Sequence, residues 1–68
     1  MSATLVFAFR TQQARVRELL AVRHAKPGAD GIGTTRMMEM ALERSEDAAS
    51  SGDPKALVRS LRQLMSFQ

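Results

Sequence analysis

Ser50-Ser51-Gly52-Asp53-Pro54 decides how this chain folds. It reads as a helix stop followed directly by a helix start. Gly52 can take the left-handed conformation that closes a helix. Asp53 can accept hydrogen bonds from free amides at the next helix's first turn, and Pro54 suits the first helical position. The segments on either side, from Met37 and out to Met65, are both amphipathic. Together they spell an αα-hairpin.

On a wheel of about 100° per residue, Met38, Ala41, Leu42, Ser45, Ala48 and Ala49 share one side of the first segment. Glu39, Glu43, Glu46 and Asp47 gather on another. Small residues dominate the apolar side, so a partner helix can approach closely. In the second segment Leu57, Val58, Leu61, Leu64 and Met65 form the stripe, and Lys55, Arg59 and Arg62 line the opposite side. Each pattern is that of a half-buried helix.

Upstream, Leu5-Val6-Phe7-Ala8-Phe9 is a short apolar run that suits a strand as well as a helix. Read as helix, Leu5, Phe9, Val16, Leu19 and Leu20 share a face with Gln12 and Gln13 in or beside it, and Ser2 or Thr4 is the cap. No Gly or Pro interrupts the chain before Pro27. A strand would lack a partner, because no second strand-like run exists. The helix is therefore expected, with a short strand plus helix as the alternative. Lys26 to Gly33 reads as a loop, since Pro27 disfavours helix before it and three glycines weaken helix after it. Thr34 or Thr35 is the expected cap of the next helix.

The expected fold class is thus all-α: residues 1–68 as a single small helical domain with helices near 4–25, 35–50 and 54–66, built on the C-terminal hairpin. A core of 68 residues is marginal alone. With no cysteine there are no disulfides or thiolate sites, and one histidine cannot form a histidine-based zinc cluster. Helix packing and self-association remain, so a homodimer is expected.

The net charge of +3 is unevenly spread. Residues 1–26 carry Arg10, Arg15, Arg17, Arg23 and Lys26 against Glu18, a net of +4. Residues 27–53 carry two arginines against six acids, a net of −4, and residues 54–68 carry three bases, a net of +3. The acidic middle helix is expected to pair with its basic neighbours. Eight arginines against two lysines point weakly to a GC-rich bacterial genome. Met1 to Phe9 lacks the basic start of a secretory signal, and nothing approaches the ~20 apolar residues of a membrane span. A cytoplasmic location is the expectation.

Three local patterns bear on chemistry. Val22-Arg23-His24-Ala25-Lys26 resembles the Arg-His motif of histidine phosphatases, whose histidine is a phosphate-accepting nucleophile. That family needs a second histidine and a larger α/β domain, and neither is present. A basic helix C-terminus accounts for the same residues. Gly28-Ala-Asp-Gly31-Ile-Gly33-Thr34-Thr35 precedes a helix, as phosphate-cradling loops do. It lacks the lysine of a P-loop and the preceding strand of a dinucleotide fingerprint. Finally, Arg10, Arg17, Arg23, His24 and Lys26 form a basic set that could meet nucleic-acid phosphates. Against that, Trp and Tyr are missing for base stacking, and the spacing between helices is too long for a tight helix-turn-helix.

No base–nucleophile constellation can be drawn, so no enzyme, cofactor or metal is expected. The leading reading is a protein-interaction module such as an adaptor, regulator or assembly subunit. A DNA- or RNA-binding regulator is the alternative. Phe7, Met40 and Phe67 fall off or at the edge of their helices' stripes and are the expected partner-binding residues. Methionines and aromatics are the types enriched at interfaces.

Overall fold

A computed structural model describes residues 3–25 and 31–67. They form three helices: α1 (Ala3–Ala25), α2 (Gly31–Ser51) and α3 (Pro54–Met65). The all-α expectation holds, and among the described residues there is no strand, so Leu5–Phe9 lies within the first two turns of α1.

The α2–α3 turn is built as its residues dictate. Gly52 has φ +71°, a conformation that costs other L-residues about 1–2 kcal/mol. The Asp53 carboxylate accepts from the Lys55 amide at 3.0 Å, and Pro54 opens the helix. The Ser51 hydroxyl donates to the Ala48 carbonyl and accepts from the Asp53 amide, tying the two helix ends together.

The start of α2 departs from expectation. The helix begins at Gly31, so Gly31 to Gly33 are helical rather than loop. The glycine penalty of about 1 kcal/mol applies to a helix interior, and these glycines stand in the first turn. Thr34 and Thr35 therefore lie inside α2 and do not cap it. Thr4 likewise lies within α1, while Ser2 and the loop residues 26–30 lie outside the described residues.

Hydrogen bonds and ion pairs give the topology. Gln13 meets Ser45, Arg17 meets Glu46 and His24 meets Glu39, so α1 and α2 run antiparallel. Arg15 reaches the Leu64 carbonyl, while Val6 and Phe9 share a hollow with Leu57, so α3 runs alongside α1 in the same direction. The result is an up-down-up bundle with extents of 39 × 17 × 16 Å. At ~1.5 Å per residue, α1 spans about 34 Å and α3 about 18 Å, so α3 covers only part of the α1–α2 pair.

The core comprises Phe9 and Val16 from α1, Met38, Ala41, Leu42 and Ala48 from α2, and Leu57 and Leu64 from α3, together with Phe67. Three details of the stripes differ from the sequence reading. Ala49 is exposed at the edge of α2, while Val58 and Met65 face outward from α3. Leu61 is only half-buried. The buried line of α3 is instead Leu57, Ser60, Leu64 and Phe67, rotated toward α2.

Candidate interaction surfaces

Phe67 is a correction to the expected partner-binding set. It is 9% exposed and belongs to the core. The Ser66 amide donates to the Gln63 carbonyl at 3.2 Å and the Phe67 amide to the Leu64 carbonyl at 3.4 Å. These bonds carry the helical path two residues further, so Phe67 lands on the face of Leu64 three residues before it. Phe7 and Met40 are exposed, at 74% and 43%. They do not share one surface. With α1 and α2 antiparallel and level at Gln13–Ser45, Met40 stands level with about residue 18, roughly 16 Å along α1 from Phe7.

Among the described residues four other large apolar side chains are exposed: Val22 62%, Met37 59%, Met65 58% and Val58 38%. The sequence reading missed these. Val22 carried a signal, since it stands about 120° from the core residue Val16. Val58 and Met65 carried none, because which edge of an apolar stripe is covered depends on where the neighbouring helices lie. Met37 and Met40, three residues apart, occupy neighbouring positions on α2.

Two of the basic set, Arg17 and His24, meet acids of α2. Arg17 pairs with Glu46 at 3.4 Å, as expected from the charge of neighbouring helices, and His24 Nε2 lies at hydrogen-bond distance, 3.4 Å, from Glu39 Oε1. Arg23 lies in the last turn of α1, and Lys26 lies outside the described residues. Arg10 lines a hollow of about 390 Å³ with Val6, Phe9, Gln13 and Leu57. Arg15, read from the sequence only as a charge, is structural. Its Nε donates to Gln12 Oε1 at 2.8 Å and its Nη2 to the Leu64 carbonyl at 2.9 Å.

A second cationic surface lies on α3. Lys55, Arg59 and Arg62 line one shallow depression with Pro54 and Val58, and α3 contains no acid. These residues were read from sequence as an ordinary solvated face.

The chemistry available is limited. Among the described residues there is no group of three or more His, Asp or Glu that could hold a metal ion. His24 is exposed beside Glu39, with no serine or threonine hydroxyl of the described residues hydrogen-bonded to it. No described helix is long and apolar enough to cross a membrane.

Nothing matches by comparison. No protein-family model, no curated protein and no solved structure is similar to this chain.

Proposed function

We propose that this chain is a small protein-interaction module, an adaptor, regulator or assembly subunit working in the cytoplasm without catalysis of its own. The observation that supports it best is the exposure of three methionines, Met37, Met40 and Met65, on a bundle whose core is built from other residues. An unbranched thioether side chain adapts to a partner's contours, and methionine is enriched at interfaces relative to other surfaces. Met37 and Met40 together form the natural anchor.

The test is affinity capture from the native cell with wild type and a Met37→Ser/Met40→Ser variant. A partner held in fixed proportion by wild type and lost from a variant of unchanged helicity supports the module. Equal recovery by both removes the methionine anchor.

The nucleic-acid reading stands second, and the free cations of α3 favour it more than the paired ones of α1. An electrophoretic shift titrated with salt tests it. Sequence-dependent binding that survives moderate salt would promote it over the first reading.

A further inference from the structure

A groove of about 470 Å³ runs between α2 and α3 on the outside of the bundle. Its walls include Asp47, Ala48 and Ser51 from α2 and Ala56, Arg59 and Ser60 from α3. Ala48, Ser51, Ala56 and Ser60 are all small, so another helix pair can come close. Ser60 lines this groove, is 6% exposed, and its hydroxyl oxygen is buried with no hydrogen-bond partner among the described residues. An unpaired buried hydroxyl is a disfavoured arrangement, which a polar group seated in the groove would relieve once the Ser60 side chain rotates toward it.

The ridges beside the groove carry opposite charges. On α2, Glu39, Glu43, Glu46 and Asp47 outweigh Arg36 and Arg44, a net of −2, and on α3 Lys55, Arg59 and Arg62 give +3. Glu46 and Glu39 are engaged by Arg17 and His24. Among the described residues, Glu43, Asp47, Lys55, Arg59 and Arg62 make no ion pair. Each copy therefore displays a free acidic ridge beside a free basic one.

We infer that the occupant of this groove is a second copy of the chain, and that the two form a symmetric dimer in which α2 of each lies on α3 of the other. This rests on the interaction-module reading and names its partner and surface. The geometry follows from a two-fold axis parallel to the helices. Rotation about that axis keeps every residue at its height and places α2 of one copy over α3 of the next, antiparallel. Asp47 and Arg59 line the same groove at the same height, so across the axis Asp47 faces the level of Arg59 and Glu43 the level of Arg62. Asp47 also becomes a polar neighbour for the Ser60 level. Met40 continues the α2 ridge as an apolar contact, and Arg44, which also lines the groove, opposes the attraction in part. The four central helices become an antiparallel bundle with coiled-coil-like packing. A standard interface of about 800 Å² per partner is roughly a sixth of the 4896 Å² surface, within reach of two helices out of three.

Charge reversal in a mixing experiment tests this. Sedimentation equilibrium of the wild-type chain, from low to high micromolar, should show a monomer–dimer equilibrium. Arg59→Glu/Arg62→Glu makes both ridges acidic, and Glu43→Arg/Asp47→Arg makes both basic. Each variant should self-associate at least about tenfold more weakly than wild type, because like charges then face each other. An equimolar mixture should recover dimer, since both of its α2–α3 contacts pair opposite charges. Should a double variant lose its helical circular dichroism, the single changes Arg59→Glu and Asp47→Lys give the same readout. A wild-type monomer at every concentration overturns the inference, as does a mixture that fails to recover dimer. So does a monomer whose salt-resistant binding to duplex DNA is lost in Arg59→Glu/Arg62→Glu. Failure here leaves the interaction module standing if the Met37/Met40 capture succeeds, so the two outcomes are separable.

Discussion

At the scale of single residues, burial depth decides what a leucine contributes. Leu64 is fully buried among Phe9, Val16 and Leu57 of the same core, whereas Leu61 one turn earlier is only half-buried. Emptying a closed site costs the transfer energy of the lost methyls plus that of the cavity. Leu64→Ala should therefore cost about 2–5 kcal/mol, and Leu61→Ala less, because solvent can occupy part of its site. Urea denaturation at one fixed protein concentration measures both. Equal losses would mean that Leu61 is covered in solution. Polar residues also contribute inside. Gln13 Nε2 donates to Ser45 Oγ at 2.9 Å, and Ser45 Oγ donates to the Leu42 carbonyl at 2.6 Å. Ser45 was legible as part of the apolar side of α2 because a hydroxyl that can bond a local carbonyl tolerates burial. Its cross-helix partner was not legible, since choosing Gln13 requires knowing the register of α1 against α2.

At the scale of elements, the hairpin was the most legible part, because Gly52, Asp53 and Pro54 each act through local backbone chemistry. A Cβ added at Gly52 would meet no atom within 4 Å, so the cost of a side chain there is conformational rather than steric. Gly52→Ala should lose about 1 kcal/mol, and Gly52→Asn less, because asparagine tolerates the left-handed region. Thermal melts of the pair would show the order, and an unchanged Gly52→Ala would mean that the turn relaxes out of its positive φ. Less local features were harder to read. The start of α2 was displaced because loop chemistry was inferred from glycine content, while the burial of Met38 two turns further on favours helix. Phe67 was misplaced for a similar reason. The end of α3 was judged from its stripe, yet two further backbone bonds extend the turn and swing the ring inward.

At the scale of the whole molecule, α1 is held against the hairpin by contacts of unequal value. Arg17–Glu46 is an exposed ion pair and His24–Glu39 an exposed polar contact, both at 3.4 Å with more than half of each side chain in water. Solvent screening leaves such pairs ~0–1 kcal/mol. Arg15 differs in kind. Its guanidinium is steadied by Gln12 and caps a carbonyl at the C-terminal end of α3, where the helix dipole favours a cation. Hydrogen bonds from a charged group contribute about 1.5–3 kcal/mol, and this one joins the first helix to the last across 49 positions of sequence. Arg15→Ala should thus destabilise the bundle by about 1–3 kcal/mol, while Arg17→Ala stays within the range of an exposed pair. Arg15→Lys should recover only part of the loss, since an ammonium cannot hold Gln12 and the Leu64 carbonyl with one planar fork. Urea melts measure the energies, and amide exchange localises them. Protection should fall first in the last turn of α3 in Arg15→Ala, where the cap is removed. If Arg17→Ala proved the more damaging of the two, surface pairing between α1 and α2 would be what joins α1 to the hairpin, and the Arg15 link would be incidental.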